Sequence, residues 1–140
     1  MSIINELGAS GILIIDGKAL VIKRSKEDTS PGQWEPPKGK TEGGEEPSQT
    51  IVREFDEEAG LKVKVKKSLG ITNWGYKRDG NDYRITESVF EVSLADGETV
   101  SNLSLSDDHD EFRWINSEAL KVLEPIIEDR RQFLLASLGE

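Results

Sequence analysis

The order of patterns along the chain predicts an α/β fold, a mixed sheet held between helices. Three observations predict it. Apolar strand-like runs lie on both sides of residues 39 to 61, a single amphipathic helix separates them, and a second helical pattern closes the chain. Strands before and after one helix, with another helix at the end, bury all their apolar faces when helices cover both sides of one sheet. The 140 residues, 1–140, read as a single domain, long enough for a substantial core. There is no internal repeat, low-complexity tract or linker.

Residues 2 to 7 read as a short edge strand. Ala9 to Ile15 and Ala19 to Arg24 are apolar strands joined at Asp16-Gly17, a strong hairpin signal. Ser25 to Gln33 is polar, carries Pro31-Gly32 and reads as a loop. Trp34-Glu35-Pro36-Pro37-Lys38-Gly39 then leads into a glycine-rich loop, stiffened by two prolines. Trp34 has two readings, a base-stacking surface or a core plug.

Pro47 suits the first helical position, and Gly60 suits the left-handed residue after the last turn. Between them Ile51, Val52, Phe55 and Ala59 share one face, about 100° wide. Glu54, Glu57 and Glu58 share a neighbouring arc of about the same width. Like charges at this spacing repel, and the helix dipole disfavours anions toward its C-terminus. A hard divalent cation relieves both penalties, and carboxylate oxygens suit Mg²⁺ or Mn²⁺. Taken alone, Glu-x-x-Glu-Glu also fits a plain solvated acidic face.

The wider spacing narrows the choice. Gly39, Glu45, Arg53, Glu54, Glu57, Glu58 and Gly60, with apolar Phe55 and Leu61, resemble the Nudix hydrolase signature without substitution or gap. Seven fixed types coincide by chance on the order of once in 10⁸ starting positions. The resemblance implies a Nudix-type α/β/α sandwich with a mixed, partly curled central sheet. It implies a divalent-metal cofactor, Mg²⁺ with Mn²⁺ as the alternative, and hydrolysis of a nucleoside diphosphate linked to another group. By the same resemblance Glu54, Glu57 and Glu58 bind the metal, with the Gly39 carbonyl as an extra ligand, and Glu45 and Arg53 form a structural ion pair. Lys38, beside this site, is a candidate phosphate contact.

The lead-in Trp-x-Pro-Pro-Lys-Gly is similar to the asymmetric diadenosine tetraphosphate hydrolase branch of the family. In that branch a tyrosine follows the signature by fifteen to eighteen residues, and Tyr76 lies fifteen beyond Leu61. The ADP-ribose branch has a proline near there, whereas this chain has none between Pro47 and Pro125.

Leu61 to Leu69 alternates Leu61, Val63 and Val65 with Lys62, Lys64 and Lys66, a half-exposed strand whose lysines balance surface acids. Ile71 to Tyr76 and Tyr83 to Leu94 read as strands flanking a turn at Asp79-Gly80. This hairpin gathers Trp74, Tyr76, Lys77, Arg78, Tyr83 and Arg84. Tyr76, Lys77, Arg78, Tyr83 and Arg84, with Trp34 and Lys38, are the substrate-binding candidates, because cations hold phosphate and aromatic faces stack on bases. Cross-strand aromatic packing is the plain alternative. Ser106 to Trp114 is acidic before an aromatic-Arg-Trp strand, and Asp108, His109 and Glu111 are candidates for a further acid, base or metal ligand. Asn116 or Ser117 caps a helix through Val122. Pro125 opens a last helix, with Ile126, Ile127, Phe133, Leu134 and Leu138 as its packing face.

Zero cysteines exclude disulfides and thiol chemistry and fit a reducing cytoplasm. No run of 18 apolar residues and no secretory leader are visible, so no membrane partner is expected. The net charge of −9 argues against a broad DNA-binding surface. The leading expectation is a cytoplasmic hydrolase, monomer or homodimer, that cleaves diadenosine tetraphosphate to ATP and AMP. Glu57 is the first choice to activate water, then Glu54. The alternatives are pyrophosphate removal from RNA 5′ ends or nucleoside triphosphates, and a non-catalytic nucleotide-sensing domain.

Overall fold

A computed structural model describes residues 2–25 and 31–139; the loop expected over Ser25 to Gln33 lies largely outside the described residues. In chain order it comprises β1 (Ile3–Ile15), β2 (Lys18–Arg24), β3 (Trp34–Glu35), β4 (Lys38–Lys40), α1 (Pro47–Ala59), β5 (Val63–Arg78), β6 (Asn81–Leu94), a 3₁₀ turn (Val100–Asn102), β7 (His109–Ile115), α2 (Ser117–Val122) and α3 (Glu128–Ser137).

Seven strands form one mixed sheet. The main path runs β3-β2-β1-β6-β5, with β4 paired to β1 and β7 to β2. β1 runs parallel to β6 from Ile3 to Leu13, while its last residues pair antiparallel with β2. One long strand thus serves two groups of partners, and the sheet curls where it passes from one group to the other. Alternation along β1 sends Ala9 and Leu13 into a core with Ile51, Phe55 and Ala59 of α1. Ile12 faces the opposite core, with Trp34, Leu120, Leu123 and Leu134, under α2 and α3. Helices therefore cover both faces, as the sandwich requires. No helix among the described residues is long and apolar enough to cross a membrane.

Turn chemistry behaves as expected. Asp16 and Gly17 take φ of 53° and 76°, and Asp79 and Gly80 take 53° and 80°, the doubly left-handed pair that two-residue hairpins need. Gly60 at φ 67° ends α1, its N–H donating to the Asp56 carbonyl.

Four expectations change. Residues 3 to 7 are not a separate edge strand but the start of β1, because they pair in continuous register with β6. The two strands expected around Leu69 are one, β5. The ladder absorbs the irregularity as register shifts at Val65/Lys67 and Ser68/Gly70, where Gly70 takes φ 142°. Val52 is exposed rather than packed; its place on the buried side goes to Thr50, whose hydroxyl bonds Glu45 and Thr41. Helix α3 starts at Glu128 rather than Pro125, because the Trp34 N–H donates to the Pro125 carbonyl and Ile126 bridges to Trp34. That pairing keeps residues 125 to 127 out of the helix and leaves Ile127 exposed.

Candidate active site

Helix α1 presents the acidic face and β4 lies along it. Arg53 organises the helix side. Its Nε donates to Glu45 Oε2 at 2.7 Å and its Nη2 donates to Glu45 Oε1 at 3.0 Å. Nη2 also reaches the Lys40 carbonyl at 3.1 Å, which ties the glycine loop to the helix. Nη1 turns to Glu54 at 2.8 Å and Glu57 at 3.2 Å. The guanidinium holds the Glu45 carboxyl down at about 2, and Glu45 in turn pushes Arg53 upward. The expected Glu45–Arg53 pair is thus formed, and it extends to two of the three glutamates.

Gly39 faces Glu54. A Cβ on residue 39 would lie 2.1 Å from Glu54 Cδ, so only glycine lets the backbone approach this carboxylate. Glu58 accepts the Lys38 backbone N–H at 2.9 Å. Burial pushes the Glu58 carboxyl up to about 7 and also raises Glu54. Desolvation of these carboxylates outruns the compensation the chain supplies.

Among the described residues, no three acidic or imidazole side chains converge as a closed cage. Mg²⁺ needs no such cage, since it takes a few protein oxygens and completes its shell with water and phosphate. Hard oxygens, two carboxyls raised by burial and a glycine backbone pressed against one of them fit such an open site.

Beside β4 lies a cavity of about 550 Å³, with Lys38, Gly39 and Lys40 on one wall and Trp74, Tyr76 and Arg78 on the other. Tyr76 stacks on Tyr83 with ring centres 4.8 Å apart and on Trp74 at 6.0 Å. Lys40 donates to the Tyr76 hydroxyl and pairs with Glu6 at 3.2 Å. Burial lowers Lys40, but these two partners outweigh it and the net direction is up. Burial depresses the Lys38 ammonium, which stands 4.6 Å from the Trp74 ring centre.

Two buried acids form part of the lining, and the sequence reading missed both. Glu35 accepts from Arg24 at 3.3 Å and contacts His109 Nε2 at 3.1 Å. Burial pushes Glu35 up, but the His109 hydrogen bond and the Lys38 and Arg24 charges leave it below its ordinary value. Glu87 accepts two bonds from Arg130, at 2.7 and 3.0 Å, and one from Trp74 Nε1 at 3.0 Å. Arg130 outweighs the cost of burial there too, and Glu87 is lowered. One signal was present: Glu87 shares the inward alternation of Ile85 and Val89, where an acid is out of place unless it is paired.

The other predicted residues separate. Trp34 is 3% exposed and its ring carries Arg113 at 4.6 Å and Lys23 at 5.8 Å, so the base-stacking reading gives way to the core plug. Lys77 lines the cavity, and Arg78 lies 5.4 Å from the Tyr76 ring centre. Neither Arg84 nor Tyr83 lines the cavity: Arg84 pairs with Asp82 at 3.2 Å, and Tyr83 stacks behind Tyr76. His109 is buried against Glu35, Asp108 is exposed, and Glu111 is engaged by Lys23 and Arg113 at 3.4 and 3.2 Å.

A family model described as NUDIX domain matches residues 6–136. An ADP-ribose pyrophosphatase of Methanocaldococcus jannaschii is 34% identical over 129 residues, covering 88% of this chain and 71% of that protein. An ADP-ribose pyrophosphatase of Bacillus subtilis is 29% identical over 133 residues, covering 94% and 68%. Among solved structures, a MutT protein from Methanosarcina mazei superposes with a TM-score of 0.76 at 21% identity, covering 94% of this chain and 91% of that one. An Ap4A hydrolase from C. elegans superposes at 0.63 with 22% identity, covering 97% and 98%. At these identities the two structures speak for the fold. The signature on α1, the curled sheet and the match across nearly the whole chain place this protein in the Nudix family, the hydrolases that act on pyrophosphate bonds of nucleotide derivatives.

Proposed function

We propose that the protein hydrolyses a dinucleoside polyphosphate, diadenosine tetraphosphate to ATP and AMP. The cavity beside the glycine loop carries this reading. In a chain of net charge −9, six cationic side chains line it: Arg24, Lys38, Lys40, Lys77, Arg78 and Arg130. Among the described residues only Glu35 and Glu87 oppose them, and an arginine already holds each. Trp74 and Tyr76 add aromatic surface. Several phosphates and a base answer this combination: cations take phosphate oxygens, and aromatic rings take bases at about 1–3 kcal/mol each.

In this reading Glu54, Glu57 and Glu58, with the Gly39 carbonyl, are the groups that would hold Mg²⁺, with Mn²⁺ as the alternative. When bound, such an ion neutralises charge on phosphoryl oxygens and makes water more acidic. The chain does the rest. Glu57, the most exposed of the three, accepts the proton of the attacking water, with Glu54 as the next choice. Arg53, locked by Glu45, fixes where both carboxylates stand. Lys38 and Lys40 hold phosphate oxygens while water attacks phosphorus and the anhydride P–O bond breaks.

The second reading is ADP-ribose hydrolysis, favoured by the names of the two relatives. One panel separates the two: purified protein with Mg²⁺ and diadenosine tetraphosphate, ADP-ribose, nucleoside triphosphates and triphosphorylated RNA. The highest kcat/KM for diadenosine tetraphosphate, with ATP and AMP as products, supports the first reading. A higher value for ADP-ribose selects the second.

A further inference from the structure

The ammonium of half-buried Lys38 makes no hydrogen bond or ion pair to any described residue. It rests on the Trp74 ring instead. Two buried carboxylates, Glu35 and Glu87, line the same cavity, and either would attract it. The ring itself is held in place. Trp74 Nε1 donates to Glu87 Oε1 at 3.0 Å. Arg130, from the terminal helix, grips both oxygens of Glu87 at 2.7 and 3.0 Å. Glu87 and Arg130 are 1% and 5% exposed. A second latch lies one turn of the ladder away, where Thr72 Oγ1 donates to Asp129 Oδ2 at 2.8 Å. A buried ion pair contributes little to stability compared with apolar side chains of the same size. This one does something apolar side chains would not: it offers the indole N–H a fixed acceptor at the floor of the cavity.

We propose that Trp74, Glu87 and Arg130 are positioning residues, a relay from α3 that holds the Lys38 ammonium in the cavity as an unpaired site for a ligand phosphate. Glu87 sets the indole plane, Arg130 sets Glu87, and the indole face carries the cation. The relay rests on the cavity being the substrate site, and it gives α3, to which the sequence assigned no chemistry, a part in phosphate binding. A ring held flat under an ammonium attracts it electrostatically and supplies no counter-charge. The cation therefore stays attached to the wall and still meets an incoming phosphate unpaired.

The test uses inorganic tripolyphosphate as the probe, with binding read by calorimetry in the absence of divalent metal. Trp74→Phe keeps an aromatic ring and removes the N–H. The double variant Glu87→Leu/Arg130→Met replaces the buried pair by apolar side chains of similar size. Each is expected to weaken tripolyphosphate binding about tenfold, with no further loss when all three changes are combined. In a Lys38→Met background, Trp74→Phe is expected to change nothing. The Trp74 indole proton resonance, identified by its absence in Trp74→Phe, should shift in the double variant. Should the double variant fail to fold, the Trp74–Lys38 cycle still decides. Unchanged binding in Trp74→Phe, or an undiminished effect in the Lys38→Met background, overturns the relay. No tripolyphosphate binding by the unaltered protein overturns the reading of the cavity itself, and the relay with it.

Discussion

Lys38 donates its backbone N–H to Glu58 Oε1 at 2.9 Å. The same residue sends its ammonium over Trp74 in the neighbouring cavity. One residue of β4 therefore joins the acidic face of α1 to the cationic cavity. A phosphate taken by the side chain would lie next to the carboxylate reached through the backbone.

Glu58 makes the stability of the metal-free protein fall with rising pH. Burial lifts its folded-state value to about 7, above an ordinary 4.5. Below about 4.5 the carboxyl is neutral in both states and costs nothing. Between 4.5 and 7 the unfolded chain ionises first, which favours unfolding, and above 7 the penalty is complete. Glu58→Gln keeps an acceptor for Lys38 without the charge. In EDTA the variant should melt higher than the unaltered protein at pH 8 and close to it at pH 4.5. Mg²⁺ should narrow the gap at pH 8. Melting curves with an equal gap at both pH values would contradict this.

Turnover should collapse without the helix carboxylates. Glu57→Gln and Glu58→Gln are each expected to lower kcat by at least about 10² while circular dichroism stays unchanged. Rates near the unaltered protein's in both variants would remove the metal and base assignments together.

Gly39 and Gly43 of the loop should differ sharply. Gly39→Ala puts a methyl 2.1 Å from Glu54 Cδ, so either the strand or the carboxylate must move. The expected cost is about 1–3 kcal/mol of stability. Turnover should fall more than about tenfold, since small misplacements of reacting groups are expensive. Gly43 faces open space and has no left-handed φ, so Gly43→Ala serves as the neutral control. Denaturant melts and kcat on both variants settle it.

His109 is expected to be structural. Its Nε2 lies 3.1 Å from Glu35 Oε2 with both side chains buried. Glutamine can still reach Glu35, so His109→Gln should keep kcat within about tenfold, a barrier change under about 1.4 kcal/mol. His109→Leu removes a partner from a buried acid and should cost about 1–3 kcal/mol of stability. A 10²-fold loss of kcat in a folded His109→Gln protein would instead place the imidazole in the chemistry.

Relations inside one helical turn or one hairpin were readable from the sequence. Glu54, Glu57 and Glu58 share a helix face because of their spacing, and Pro47 and Gly60 bound α1 for backbone reasons that need no partner. Asp16-Gly17 and Asp79-Gly80 make their turns through φ preferences alone. The alternation that exposes Lys62, Lys64 and Lys66 is equally local; Lys62 and Lys64 pair with surface acids as expected, and Lys66 with half-buried Glu91.

What only the tertiary structure decided depends on how the sheet curls. Arg130 meets Glu87 across 43 residues, and His109 meets Glu35 across 74. No local pattern encodes either pairing, because each needs α3 or β7 brought to the sheet by the burial of other side chains. The same applies to Trp34, whose open choice between stacking and packing ended only when Arg113 and Lys23 were placed against its ring. The amino-acid order alone determined the acidic helix face and the glycine loop beside it. The cavity that faces them, and the seat of the Lys38 ammonium on Trp74 within it, exist only because a curled sheet brings distant strands and the last helix to one place.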